Sequence, residues 1–323
     1  MSTKSILSAP HFHDEQAAYD YVEARLWPTG PECPHAGCGV IGNAHKMTGK
    51  STRIGLYKCR ECRRPFNVKI NTVFEGSNIK LHIWLQAIHL LASSKKGFSA
   101  NQFARTLGIS LKAAWFLSHR LREAMRSVDL IPFGMAGGAV EADETFWGMD
   151  PDSFSPTRMG GYGAMKVLTL IDRESGRAKS VVIDDLNRET IEPILRENIA
   201  REARLMTDEA HRYKRVGREF AEHGRVNHSK DEYVSPDDVT VHTQCVENYY
   251  SVFKRGMKGT YQHCAKRHLH RYCAEFDFRF SNRVALGIDD KARADLLLAG
   301  VKGKRLTYQT TNGGRQSADA PQA

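Results

Sequence analysis

The apolar positions of this chain change period part-way along it. Across 14–26, Ala17, Ala18, Tyr21, Val22 and Leu26 keep helical spacing, and "WPTGP" ends the run. "LHIWLQAIHLLA", 81–92, predicts a strongly apolar helix packed between modules, with His82 and His89 at its edges. Between 99 and 125 two short apolar faces follow each other, first Phe103, Ala104 and Leu107, then Ala114, Leu117, Leu121 and Met125. "GIS" turns the chain between them. Helix, glycine-containing turn, helix is the helix-turn-helix pattern of DNA-binding modules, although a plain helical hairpin has the same pattern.

"IPFGMAGG", 131–138, reads as a linker, and beyond it alternation replaces the helical period. A strand is expected over 139–145, and "MKVLTLIDRESGRAKSVVIDDL", 165–186, gives two more joined by an "ESG" turn. A helix with Asn187 as its N-cap covers 187–203, "RLMTD" is a strand over 204–208, and "GRVNHS", 224–229, is another. "TQCVENYYSVFKRGMKG", 243–259, is a helix that Gly259 can end. The order describes a mixed sheet covered by helices. "RMGGYGAMK", 158–166, matches no phosphate loop and reads as a mobile hairpin arm, and the polar tail from about 303 reads as disordered.

With 323 residues, 41% of them hydrophobic, there is enough chain for two or three domains. No apolar run approaches the ~18 residues of a membrane span, and "MSTKSILSAPHFHDEQ" is too polar for a secretory signal, so a cytoplasmic protein without a membrane partner is expected. The net charge of +10 is lopsided: residues 1–130 hold 18 Lys and Arg against 9 Asp and Glu, the remainder 29 against 28. A basic half of that kind suits a nucleic-acid partner.

Four of the seven cysteines are paired in that basic half, as Cys33-x4-Cys38 and Cys59-x2-Cys62. Two thiol-bearing turns separated by a hairpin-length segment predict a four-sulfur structural zinc site, with a disulfide pair or redox couple as the competing readings. His35 reads as a turn residue of the first knuckle. Arg60, Arg63 and Arg64 make the rim a phosphate contact. Cys245, Cys264 and Cys273, with His263, His268 and His270, fit no zinc spacing and read as buried thiols and surface imidazoles.

The sheet half carries a second constellation. Asp143 is expected to end the first strand and Asp208 ends "RLMTD", each after an apolar run. On adjacent strands two such carboxylates repel unless a cation lies between them, and oxygen-rich sites select Mg²⁺ or Mn²⁺. In the helix from 243, Val246, Tyr249, Tyr250, Phe253 and Met257 form the buried stripe. Glu247, Ser251, Lys254 and Lys258 share a neighbouring polar face, so a carboxylate for metal and a cation for phosphate could be offered together. The same pattern suits an ordinary solvated face.

The stretches "WPTGPECPHAGCG", "YKCRECRRPF", "VEADETFWG", "MTDEAHRY", "VNHSKDEYV", "HTQCVENYYSVFKRGMKGTYQH" and "KRHLHRYCAEFDFRFSNR" occur in that order. Over roughly 14–285 the chain thereby resembles insertion-sequence transposases of the ISXO-like family, with an N-terminal zinc ribbon and a DDE-type ribonuclease H-like catalytic domain. The resemblance implies a multidomain α/β protein: an N-terminal helix (1–30), a zinc ribbon (31–68), a helical linker and helix-turn-helix (69–130), a ribonuclease H-like mixed sheet flanked by helices (135–290) and a C-terminal extension (291–323).

It also implies that Asp143, Asp208 and Glu247 are the metal triad and Lys254 the accompanying basic residue. Relatives often have "HTN" where this chain has "HTQ", so Gln244 competes with Glu247 as third ligand. Glu144, on the alternate side of the pleat, is expected to pair with a local Arg or Lys rather than bind metal. The implied activity is cutting and joining of element ends by two-metal-ion phosphoryl transfer. Terminal inverted repeats and target double-stranded DNA are then the partners, contacted by Arg60, Arg63, Arg64, Ser110, Lys112, His119, Arg120 and Lys258. A homo-oligomer on DNA and association with the nucleoid follow by analogy. A DNA-binding regulator, such as a domesticated inactive transposase, and a ribonuclease H-like nuclease without strand transfer are the alternative functions.

Overall fold

The computed structural model describes residues 5–127, 131–153, 163–227 and 234–307. The N-terminal half is built around helices. Helix α1 (Glu15–Leu26) starts where the Asp14 side chain accepts the Ala17 N–H at 2.7 Å, and it buries Ala18, Tyr19, Val22 and Leu26. Strands β1 (Ala44–Lys46), β2 (Tyr57–Cys59) and β3 (Pro65–Phe66) form an antiparallel sheet in that order. Its buried core is only Cys33, Tyr57, Cys59 and Phe66. Trp27, just past α1, packs edge-on against Tyr57 and Phe66 and ties this small module to the helices.

Helices α2 (Leu81–Ser93), α3 (Ala100–Leu107) and α4 (Leu111–Met125) follow. A Ser99–Gln102 capping box opens α3, Gly108 closes it at φ 64°, and the Ser110 side chain caps α4 by accepting the Ala113 N–H at 3.2 Å. The helix-turn-helix spacing in the sequence therefore has its caps in place.

The far end of the chain returns to this half. Helix α8 (Asp290–Ala299) packs on α2, and Leu297, Leu298 and Val301 complete the core made by α1, α2, α3 and α4. The Arg293 guanidinium donates to the Ala92 carbonyl at 2.9 Å, and the Val73 N–H to the Val301 carbonyl at 3.2 Å. A local period cannot reveal a core partner some 200 residues away. The tail from 308 lies outside the described residues.

The second half is a five-stranded sheet, ordered β6-β5-β4-β7-β8, from β4 (Ala139–Asp150), β5 (Gly163–Asp172), β6 (Ala178–Ile183), β7 (Arg204–Asp208) and β8 (Glu222–Val226). β4, β5 and β6 are an antiparallel meander, and β7 and β8 add parallel to β4. Helix α5 (Arg188–Asn198) makes the crossover into β7. Its Ile191 and Leu195 pack with Val140, Ala142, Leu168 and Leu170 on one sheet face. Val167 and Ile171, from the alternate positions, meet α6 (Gln244–Gly256) and α7 (Lys266–Ser281) on the other. This is the expected ribonuclease H-like arrangement of a mixed sheet between helices.

Three boundaries differ from expectation. β4 runs on to Asp150, because β5 pairs with it almost throughout, so Asp143 lies within the strand rather than at its end. α5 stops at Asn198, and Asn187 occupies its N-cap position without a side-chain capping bond. α6 continues as a π-helical turn over Met257–Tyr261, past Gly259, and stops at Gln262 with φ 60°. Residues 158–162 of the expected hairpin arm lie outside the described residues, while 163–166 belong to β5. Among the described residues no helix is long and apolar enough to cross a membrane.

Candidate active site and zinc centre

In the small module Cys33, Cys38, Cys59 and Cys62 bring their sulfurs together within 4.8 Å. The Cys33–Cys62 and Cys38–Cys59 separations are 3.6 and 3.7 Å. A tetrahedron with zinc–sulfur bonds of about 2.3 Å has edges of about 3.8 Å, so the four thiols fit a structural zinc ion. Their proton affinities are split. The Arg64 backbone N–H pulls Cys62 down to about 6, while burial pushes Cys33 up to about 12. A bound cation would favour the thiolate at all four. His35 bonds the Pro65 carbonyl at 3.1 Å and so links the two knuckles as a turn residue. Arg60, Arg63 and Arg64 are exposed on the rim.

The acidic site is set by register. β4 and β7 pair in parallel as Ala139 with Arg204, Val140 with Leu205 and Glu141 with Met206. Two residues further along both strands stand Asp143 and Asp208. One oxygen from each, with one from Glu144, lies within 4.8 Å of the others. Burial, then the Glu144 charge, with further contributions from Asp208 and Glu247, pushes Asp143 up to about 7. The backbone N–H of Glu144 donates to its carboxylate at 2.8 Å and opposes that shift.

Glu144 faces two ways. It has the expected arginine neighbour, Arg212, at 3.5 Å, and it accepts the buried Tyr213 hydroxyl at 2.6 Å. Yet its carboxylate remains within the acid cluster. β7 ends at Asp208 and the chain turns into His211–Tyr213, so a long side chain can reach round the sheet end from the other face. Burial raises the proton affinity of Glu144, against the effect of Tyr213 and Arg212.

Glu247 lies on α6, outside that group of three, and accepts from the Thr243 hydroxyl at 3.2 Å. Its charge nevertheless acts on Asp143. Lys254 is exposed two turns along the helix, and Lys258 is exposed in the π-helical turn. Gln244, the first residue of α6, is exposed as well.

Sequence reasoning missed the residue that aims this helix. Glu141, fully buried in β4, accepts the Val246 N–H in the first turn of α6 at 2.9 Å. Its other oxygen meets Arg173 at 2.7 Å and His242 at 3.2 Å. The Tyr250 hydroxyl donates to the Asp143 carbonyl, so α6 is pinned to β4 at Glu141 and again at Asp143. The available signal was an acid at an inward position of an apolar strand, which implies buried partners.

Two residues expected to contact DNA are turned inward. His119 and Arg120 are buried, because the C-terminal half of α4 packs against α7 and α8. Arg120 donates to the Val73 and Leu306 carbonyls at 2.9 and 3.1 Å. His119 sits among Trp115, His268 and Tyr272, and burial pushes it down to about 2. Exposure on α4 is confined to its start, at Leu111, Lys112 and Trp115, with Ser110 spent as the cap. Cys273 is buried and Cys245 and Cys264 are partly so; among the described residues they join no metal-binding group.

Residues 13–65 match the transposase zinc-ribbon domain, and residues 135–281 match the ISXO2-like transposase domain. The uncharacterized protein in transposable element ISH50 of Halobacterium salinarum is 24% identical over 282 residues, covering 83% of this chain and 91% of that protein. Each domain match falls on one of the two sites described above, and the chain belongs to the insertion-sequence transposases that join a zinc ribbon to an ISXO2-like domain.

Proposed function

We propose that the protein cuts and joins the ends of its own insertion sequence by two-metal-ion phosphoryl transfer at Asp143, Asp208 and Glu247. The observation that carries this reading is the parallel register that sets Asp143 beside Asp208, with a proton affinity at Asp143 that calls for a cation. Carboxylate oxygens on a rigid sheet suit Mg²⁺ or Mn²⁺. Asp143, Asp208 and Glu247 would hold such ions, which would supply activation of a water or 3′-hydroxyl and charge stabilisation of the leaving oxygen in an in-line displacement.

The chain's own residues prepare that site. Glu141 and Tyr250 hold α6 against β4, which presents Glu247 toward the acid pair. Lys254 and Lys258 face the phosphates of the bound strand as point charges. The exposed Arg60, Arg63 and Arg64 grip the backbone of the terminal inverted repeats, and Lys112 at the start of α4 reaches a groove. Target double-stranded DNA enters the same acidic site. Joining two ends requires a homo-oligomer on DNA, at work in the nucleoid.

The test is Mg²⁺-dependent nicking and strand transfer on a labelled duplex carrying the DNA that borders the reading frame. Asp143→Asn, Asp208→Asn and Glu247→Gln should each lose at least ~100-fold in rate while retaining DNA binding. Full activity in either aspartate variant refutes the mechanism. Full activity in Glu247→Gln, with loss in Gln244→Ala, moves the third ligand to Gln244. Cleavage without a joined product identifies a nuclease, and binding without either identifies a regulator.

A further inference from the structure

Glu144 lacks the partner that the other buried glutamates have. Glu141, Glu192 and Glu275 are at most 1% exposed, and each has a guanidinium in contact. Glu141 meets Arg173 at 2.7 Å, Glu192 meets Arg196 at 2.9 Å as well as Arg215, and Glu275 meets Arg122 at 2.7 Å as well as Arg279. The Glu144 side chain is only 3% exposed, yet its guanidinium neighbour Arg212 stands 3.5 Å off. The Arg212 Nε, its nearest atom, is buried and makes no hydrogen bond. Asp143 and Asp208 each place a carboxylate oxygen within 4.8 Å of one from Glu144. A buried carboxylate among like charges, with no cation in hydrogen-bond contact, is costly. Arg212 alone does not balance it.

One contact of Glu144 is firm. Tyr213, fully buried in the core that holds Val140, Ala142 and Leu205, donates its hydroxyl to Glu144 Oε1 at 2.6 Å. Arg212 also lies nearest Oε1, and among the described residues Oε2 accepts no hydrogen bond. The turn that delivers Tyr213 begins at Asp208, whose carboxylate accepts the Ala210 N–H at 3.0 Å, so one turn sets both acids. A single outer hydrogen bond of this kind is what orients a carboxylate that ligates a metal. Glu144 leaves β4 on the face covered by α5, whereas Glu247 belongs to α6 on the opposite face. The two glutamates therefore approach Asp143 from opposite sides and do not exclude each other.

We propose that Glu144 is a further ligand of the divalent ion at Asp143 and Asp208, and that Tyr213 is the residue that positions it. The inference rests on the transposase reading above, which supplies the ion. In contact with Mg²⁺ or Mn²⁺, Glu144 gains the counter-charge that Arg212 leaves wanting. The phenol is neutral, so it fixes the direction of the carboxylate without cancelling its charge.

The test is a Mn²⁺ titration of the full-length, zinc-loaded protein without DNA, with free Mn²⁺ read by electron paramagnetic resonance. Glu144→Gln keeps the shape and still accepts the Tyr213 hydroxyl, and it should weaken Mn²⁺ binding at least about tenfold. Tyr213→Phe should weaken it about tenfold, and should add nothing in the Glu144→Gln background, because its hydroxyl acts through that carboxylate. Losses that add in the double variant overturn the role of Tyr213. Metal-free stability is the second measure, since a merely structural glutamate predicts the opposite sign. With one charge fewer in the acid cluster, Glu144→Gln should be no less stable to urea at pH 8 than wild type. A metal-free Glu144→Gln that is destabilised, with Arg212→Gln destabilised equally, identifies a salt bridge and overturns the proposal. Wild-type Mn²⁺ affinity in Glu144→Gln also overturns it, and if Asp143→Asn abolishes binding in the same series, only this ligand is removed. Wild type that binds no Mn²⁺ at millimolar concentration removes the functional reading with it.

Discussion

Removing a charge from the acid cluster should stabilise the metal-free protein and make it blind to metal. Asp143 titrates near 7 against an ordinary 3.8, mainly from burial and then from Glu144, with smaller contributions from Asp208 and Glu247. The folded state holds that proton more tightly than the unfolded chain. Stability from this group is thus complete below about pH 4 and is lost as pH rises toward 7. A shift of about three units is worth at most about 4 kcal/mol, and about 2 kcal/mol once the solvent reaching a partly exposed side chain is counted. Asp143→Asn keeps the shape and removes the charge. In Mg²⁺-free buffer at pH 8, with zinc still bound to the ribbon, the variant should exceed wild type by about 2 kcal/mol, and at pH 4 the two should coincide. Excess Mg²⁺ reverses the order, because about 2.7 kcal/mol is gained at a hundredfold excess over Kd by the form that binds it. Urea denaturation followed by circular dichroism, at both pH values with and without Mg²⁺, measures all four corners. A variant no more stable than wild type at pH 8 without Mg²⁺, or equally stabilised by the ion, would refute the reasoning.

Cys59→Ser should release about one zinc ion and unfold residues 31–66, checked by metal analysis and by hydrogen exchange over that segment. Glu275→Gln leaves Arg122 and Arg279 buried without a counter-charge, and a loss of about 3–5 kcal/mol is expected in urea denaturation. Less than about 1 kcal/mol would mean that the anion is not essential there. Glu144→Gln should weaken Mg²⁺ binding about 10- to 100-fold in calorimetry, since it alters a carboxylate that lies with both aspartates in the acid cluster. Unchanged affinity would restore the reading in which Glu144 only pairs with Arg212.

Legibility in the sequence followed the range of each interaction. The zinc knuckles could be read because both pairs of thiols are local and their spacing carries the geometry. The helix-turn-helix could be read because its caps, Ser99, Gly108 and Ser110, lie in sequence beside the helices they end. The pairing of Asp143 with Asp208 needed one long-range assumption, that β4 and β7 are neighbours, and the repeated apolar-to-acid step supplied it. What was hidden depends on partners far along the chain. His119 and Arg120 have the polarity of a DNA-facing surface, but α7 and α8 arrive from beyond residue 265 to cover them. Leu297, Leu298 and Val301 resemble the start of a tail until α2 is placed against them. Glu144 shows the limit of alternation itself, which fixes the face from which a side chain departs but not where a long one ends.

The buried acids also tie the two halves together. Glu141 gives its oxygens to the first turn of α6, Arg173 and His242, so the position of Glu247 relative to Asp143 depends on β4. The far end of the same helix passes into the π-helical turn, where Tyr261 donates to Glu275 and accepts the Phe98 N–H at 3.2 Å, just before α3. Glu275 in turn grips Arg122 on α4. Only glycine fits at 97, because a Cβ there would overlap the Tyr261 hydroxyl at 1.9 Å. One helix is therefore fixed at its start by the sheet that carries the acid cluster and at its end by contacts that reach α3 and α4. Interfaces of this kind switch between packed arrangements rather than deform gradually. The contacts of Tyr261 and Glu275 thus join α4 to the far end of the element that carries Glu247, Lys254 and Lys258.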